Sequence, residues 1–204
     1  MMRLDHLAVC AETLDAGGAY VQGLLGVPLA PGGEHAAMST HNRLLSLGPE
    51  TYLEVIAIDP GAPPVDHPRW FDLDNFSGAP RLTNWVVQVS DMGAAQAAFG
   101  PGIGAAMQLQ RGDLRWSMAV PGDGKLPFDN KHPAVIEWQG AHPAPRLPDQ
   151  QCRLHKLKIS HPRATELGEK FQTLPDAPIV AFVQADTPGL VAEIATPTGI
   201  KVLK

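Results

Sequence analysis

Apolar residues come in short blocks whose spacing switches between strand and helix periods. Leu4 to Cys10 reads as an opening strand, and Thr13 to Leu25 carries Leu14, Val21, Leu24 and Leu25 at helical spacing before Gly26. The Pro31-Gly32-Gly33 run predicts a turn, with a short strand near Val27 to Ala30 before it. His41 to Leu47 and Tyr52 to Ile58 then read as two strands joined at Gly48-Pro49. The plan of this first segment is β-α-β-β-β.

The plan recurs. Asn84 to Ser90 is a strand, Met92 to Phe99 an Ala-rich helix, Met107 to Gln110 a short strand, and Leu114 to Val120 and Ala134 to Trp138 two more. A third, shorter pass gives strands at Leu154 to Ser160, Ile179 to Ala185 and Leu190 to Ala195, with a helix at Ala164 to Leu174. The fold class is therefore α+β, built from repeats. We place the first module at residues 1–60, a connection at 61–80, the second module at 81–142 and a partial third at 143–204. The connection is rich in Pro and Gly but contains Arg69-Trp70-Phe71. Two adjacent aromatics predict a segment packed over a cavity mouth or across the module boundary.

Two polar residues break the apolar strands. His6 sits in Leu4-Asp5-His6-Leu7-Ala8-Val9 and Glu54 in Tyr52-Leu53-Glu54-Val55-Ile56. An unpartnered imidazole or carboxylate on a buried sheet face costs several kcal/mol, so each predicts a partner, solvent or an ion. Strand alternation puts His6 on a face with Leu4, Ala8 and Cys10, and Glu54 with Tyr52, Ile56 and Ile58. His41 shares a face with Arg43 and Leu45, opposite Asn42 and Leu44, and alternation alone leaves open which face looks inward.

Composition narrows the function classes. Of 204 residues 44% are hydrophobic and 18% charged, and no apolar run nears the roughly 20 residues of a membrane helix. With no apolar signal core at the start, a cytoplasmic protein is expected. The net charge of -5 supplies no basic field, so nucleic acid is not an expected partner. Cys10 and Cys152 are too few for a disulfide framework and wrongly spaced for a zinc site. Neither Gly-rich run has the context of a nucleotide-binding loop.

Repeated β-α-β-β-β units, a His-x-Ala-Val first strand and an apolar-Glu-apolar last strand resemble the vicinal oxygen chelate superfamily, which includes glyoxalase I, bleomycin-resistance proteins and extradiol dioxygenases. Thr40 to Gly48, Tyr52 to Ile56, Arg69-Trp70-Phe71, Pro133 to Trp138 and His142-Pro143 are similar to its glyoxalase-like domain group. The resemblance implies paired modules forming a cupped mixed sheet with helices outside. It also implies metal ligands on the first and last strands of each module.

Carried over by position, His6, Glu54 and Glu137 are the implied ligands of a divalent ion (Zn, Mn, Ni, Fe or Mg), and the fourth position falls on Asn84. Glu137 or Glu54 is the implied base, and His41 a further catalytic candidate. Tyr52, Trp70, Arg115 and Asn84 are candidates to line the substrate. The implied activity is of lyase or isomerase type, on a small molecule with adjacent oxygens, through a metal-stabilised enediolate or oxyanion. The amide of Asn84 supports the alternative, a cup without metal that binds or sequesters a ligand. An Fe(II) dioxygenase is the third reading and needs a second histidine at Asn84 or from His41. The chain is expected to act as a monomer or a homodimer.

Overall fold

Two capped helices and most of the strands arise where the alternation predicts them. The computed structural model describes residues 1–176 and 178–204. The first module consists of β1 (Met2–Cys10), α1 (Leu14–Leu25), β2 (Ala30–His35), β3 (Thr40–Ser46) and β4 (Tyr52–Ile58). Thr13 caps α1 by accepting from the Ala16 N–H, and Gly26 ends it in the left-handed conformation (φ 72°). The second module repeats the order with β5 (Arg81–Val89), α2 (Met92–Phe99), β6 (Ala105–Arg111), β7 (Leu114–Val120), a short helical turn α3 (Pro127–Asn130) and β8 (Ala134–Trp138).

Together the modules form one mixed eight-stranded sheet in the order β2-β3-β4-β1-β5-β8-β7-β6. It curls so far that β2 and β6, the two ends of that order, touch. The outer face buries Leu7, Val9, Leu53, Val55, Trp85, Val87 and Val135 against Val21 and Leu25 of α1 and Met92 and Ala95 of α2. The inner face carries Ala8, Cys10, Ile56, Val86, Trp116, Met118, Ala134 and Ile136. Trp70, Phe71 and Leu73 of the connection close over it from a 3-10 segment at Trp70–Asn75.

Two departures from the expected pattern position the site. Gly32 and Gly33 belong to strand β2, displaced from the expected 27–30, and do not form a turn. The strand tolerates Pro31 because it is an edge strand with an irregular register between Pro31 and Glu34. A β-bulge in β1 makes Asp5 the extra residue, between the Leu4–Val87 and His6–Val86 pairs. Alternation therefore breaks there, and Leu4 joins the outer cluster while Ala8 and Cys10 join the inner one.

The third segment supplies β9 (Arg153–His161), α4 (Ala164–Lys170), β10 (Val180–Gln184), β11 (Gly189–Thr196) and an additional strand β12 (Gly199–Leu203). These strands form a separate sheet, β10-β9-β11-β12, in which the first strand pairs in parallel with the second. In the first module the first strand pairs in parallel with the last, so the third segment shares element order but not pairing. Its Leu157, Ile159, Phe171, Ala192, Ile194 and Leu203 extend the outer cluster around Trp85. It buttresses the back of the cup, and none of its described residues lines the cavity.

Candidate active site

The bulge in β1 turns two consecutive side chains into the interior. Asp5 is wholly buried and accepts three hydrogen bonds, from His6 Nδ1 (2.6 Å), Trp138 Nε1 (2.9 Å) and His142 Nε2 (3.0 Å). Glu54 on β4 lies with its Oε2 3.6 Å from His6 Nε2, and its Oε1 accepts from Asn42 Nδ2 at 2.5 Å. His6 is thus held between two carboxylates, with the Tyr52 ring stacked 4.4 Å from it.

Charge follows from that placement. Burial alone would push the His6 pKa down, but the hydrogen bonds and charges of Asp5 and Glu54 prevail and raise it to about 9. Burial would raise Glu54, yet pairing with His6, helped by Asn42, holds it at about 2. Asp5 likewise resists its burial and stays well below the usual carboxylate range through His142 and His6. At neutral pH the group is an imidazolium between two carboxylates. Buried Cys10 beside Thr83 is pushed up to about 12 and remains a thiol.

A second polar layer sits at the rim. Asn42 Oδ1 accepts from the Gly33 N–H (2.8 Å) and from Arg111 Nη1 (3.2 Å), which fixes the amide so that its Nδ2 points to Glu54. His35 Nε2 faces two donors, Asn42 Nδ2 at 3.3 Å and Arg111 Nη1 at 3.1 Å, so it is the acceptor and Nδ1 carries the proton toward Thr40 Oγ1. Burial pushes the His35 pKa down to about 4, consistent with a neutral ring. Gly32 and Gly33 are needed here: a Cβ on Gly32 would lie 2.0 Å from Asn42 Oδ1, and one on Gly33 2.7 Å from Arg111 Cδ.

These groups line one cavity with Leu44, Tyr52, Trp70, Phe71, Trp116, Met118, Ile136 and Trp138. Its empty volume of about 390 Å³ includes open solvent, and the space that the centre of a water-sized sphere can enter is about 30 Å³, room for about two waters. Phe71 and Asp72 in its lid have positive φ (61° and 55°), strained for side chains of that kind. The Asp72 N–H is held by the Gly124 carbonyl of the second module at 2.9 Å.

The structure brings together His6, Glu54, Tyr52 and Trp70 of the expected residues and separates the rest. Glu137 corrects the expected ligand set. Ala134, Ile136 and Trp138 face the cup, so alternation turns Glu137 to the side of Val135. Strand register shows what replaces it. Ala8 pairs with Asn84 and Glu54, while Val86 pairs with His6 and Ala134. Exchanging the modules therefore maps His6 onto Asn84 and Glu54 onto Ala134.

Asn84 is fully buried, neither side-chain atom has a hydrogen-bond partner among the described residues, and it is absent from the cavity wall. His41 is also corrected: Asn42 and Leu44 face inward, and His41 with Arg43 lines a separate outer groove beside Thr13 and Asp15. Arg115 is exposed, turned away from Trp116 and Met118. The sequence reading missed Asp5, His35, Asn42 and Arg111. Asp5 had a signal, since two adjacent charges in an apolar strand can both be satisfied inside only if the strand bulges.

A divalent ion fits this donor set poorly. Among the described residues no group of three or more His, Cys, Asp or Glu side chains is arranged to hold one. His6 Nε2 and Glu54 Oε2 are two donors, whereas zinc sites supply three or four protein ligands. Asp5 is already used by three donors, and Ala134 stands where the second carboxylate was expected.

A sheet curled from paired β-α-β-β-β modules, with polar groups from its central strands facing the cup, defines a vicinal oxygen chelate protein. The sequence profile of the glyoxalase-like domain matches residues 4–174, and the chain belongs to the glyoxalase-like domain family. The crystal structure of a hypothetical protein from Staphylococcus aureus is similar over 97% of this chain and 93% of that one (TM-score 0.65, 12% identity). Methylmalonyl-CoA epimerase from Mycobacterium tuberculosis aligns over 68% of this chain and 88% of its own, with TM-score 0.43 and 17% identity. The Streptomyces coelicolor epimerase in complex with 2-nitronate-propionyl-CoA aligns over 67% and 95%, with TM-score 0.43 and 12% identity. No functionally curated protein matches the chain. No described helix is long and apolar enough to cross a membrane.

Proposed function

We propose that this protein is a glyoxalase-like enzyme of isomerase type that enolises a small 2-oxo compound in the cup, using the Asp5–His6–Glu54 array instead of a metal ion. The observation that carries the reading is that array itself, a buried histidine ring whose Nε2 lies 3.6 Å from a carboxylate oxygen at the wall of an aromatic cavity. Neighbouring groups with pKa values driven apart are the usual basis for dividing acid and base roles.

Glu54 Oε2 takes a proton from the carbon beside the substrate carbonyl. The C–H electron pair becomes the new C=C bond, and the carbonyl π pair moves to oxygen. His6 Nε2–H meets that oxyanion, and Asp5 on Nδ1 fixes the ring and keeps it cationic. Return of the proton to the face it left regenerates the substrate with its hydrogen exchanged, and delivery to the opposite face or to the neighbouring carbon gives the isomer. Glu54 is a weak base while paired with His6. When substrate oxygen takes the Nε2–H, it weakens the pairing that holds the carboxylate near pKa 2.

The low pKa of Glu54 also favours a second reading, a metal-free cup that binds its ligand without transforming it. Proton NMR in D₂O separates the two. Small 2-oxo compounds such as pyruvate should exchange the hydrogens beside the carbonyl for deuterium in the presence of the protein, and Glu54→Gln should remove the exchange. Binding without exchange would support the second reading.

A further inference from the structure

The cup contains a cation that the proton-transfer reading does not use. Arg111 ends β6 and reaches across the mouth to the opposite edge of the curled sheet, where its Nη1 contacts His35 Nε2 and Asn42 Oδ1. Those two contacts are its side-chain hydrogen bonds among the described residues, and both partners are neutral. Six other arginines pair with carboxylates, among them Arg43 with Asp15 and Arg146 with Asp113, and the two others without an ion pair among the described residues, Arg81 and Arg115, do not line the cup. The side chain at the mouth has no such partner among them.

Its seat is nonetheless built. Gly33 leaves the space that Arg111 Cδ fills, and Gly32 leaves that of Asn42. The proton on His35 points away to Thr40, so its lone pair meets the guanidinium. Beyond Nη1, the planar fork has Nε and Nη2 to offer, the geometry that takes a carboxylate through two parallel hydrogen bonds. The Asn42 amide links Arg111 on one side to Glu54 on the other. A carboxylate docked on the guanidinium would therefore have its adjacent carbon and oxygen close to Glu54 and His6.

We propose that Arg111 is the specificity-determining anchor of this cup and that the substrate is a small 2-oxo or 2-hydroxy carboxylate, its carboxylate on Arg111 and its neighbouring oxygen on His6. The aromatic wall of Trp70, Trp116 and Trp138 excludes water from the pair and strengthens it. The assignment deepens the enolisation reading and rests on the same cavity, with binding and not turnover as its readout.

The test compares pyruvate with its neutral isostere pyruvamide, titrated into the intact protein and followed by the indole N–H signals in NMR. The wild type should bind pyruvate about tenfold to a hundredfold more tightly than pyruvamide, the range expected for a charge-assisted bidentate contact. Arg111→Gln should bring the two affinities together, and Arg111→Lys, which keeps the charge without the fork, should leave an intermediate preference. Thermal unfolding of each variant verifies that the fold persists, and the lysine variant carries the test should glutamine fail to fold. Equal affinities in the wild type, no binding of pyruvate at millimolar concentration, or a preference that survives Arg111→Gln would overturn the proposal. Pyruvate held through Arg111 without deuterium exchange would leave it standing and sink the enolisation reading. Exchange with pyruvamide as fast as with pyruvate would do the reverse.

Discussion

The two modules of the curled sheet share a plan and divide the work. The first places Asp5, His6 and Glu54 inside the cup. At the matching positions the second has Asn84 and Ala134, and it supplies Trp116, Met118, Ile136 and Trp138 as wall. One half holds the charge, and the other lowers the dielectric around it and lends a single arginine. Repetition of a fold therefore does not repeat its chemistry: a change of parity on one strand and a bulge on another suffice to make the site one-sided.

The largest effect that would break this comparison is expected at Glu54. Glu54→Gln keeps the shape and the acceptor for Asn42 but removes the base, and deuterium exchange should fall by about a hundredfold to ten-thousandfold. An unchanged rate would show that the first module is not the chemical half.

Next comes Asp5, whose removal leaves one buried and two half-buried donors without their charge. Asp5→Asn should cost about 3 to 5 kcal/mol of stability in chemical denaturation, the range for breaking a buried ion pair from one side. A loss within about 0.5 kcal/mol would mean that the array is not under the strain of burial assigned to it.

The pH dependence of stability sharpens the assignment further. His6, raised from 6.5 to about 9, contributes stability that is full below pH 6.5 and is lost as pH climbs through about 9. Glu54, lowered from 4.5 to about 2, contributes above pH 4.5 and loses its share as pH falls through about 2. His35, depressed to about 4, binds its proton more weakly folded than unfolded, so stability also declines as pH drops from 6.5 to 4. Urea unfolding between pH 6 and 10 should show the alkaline decline in the wild type and lose it in His6→Gln. A decline that persists in the variant would assign it to another group.

The smallest effect belongs to the second module. Glu137→Gln should change neither exchange nor stability by more than about 0.5 kcal/mol, because the side chain faces away from the cup. A strong effect there would restore symmetry between the halves.

Much of the fold was legible in the sequence, whereas the one-sided site was not, and the exceptions have physical causes. The β-α-β-β-β repetition follows from period, and the inward place of Glu54 from the resemblance, because parity alone left open which face looks in. The bulge at Asp5 is invisible to a strict period of two, which put Leu4 beside His6, whereas Leu4 packs outside. Gly32 and Gly33 carried the signature of a turn but serve close packing against Asn42 and Arg111 within an edge strand. Glu137 was matched to Glu54 by its apolar neighbours, but only pairing register shows that Ala134 is the equivalent. Arg111 lies at a strand end, and nothing local to it in sequence shows that the sheet curls until β6 meets β2. The third segment had the right order of elements, but pairing depends on tertiary contacts that the order does not contain.

The central claim is that the acid–base group of this cup is one imidazolium held between two carboxylates of the first module, beside the guanidinium that the second lends, with no ion bridging the halves. Long-range ¹H–¹⁵N NMR of the His6 ring at neutral pH, with one equivalent of Zn²⁺ added, tests it most directly. The account predicts a ring protonated at both Nδ1 and Nε2 and unmoved by the metal. A ring that has lost its Nε2 proton to a bound ion would contradict it.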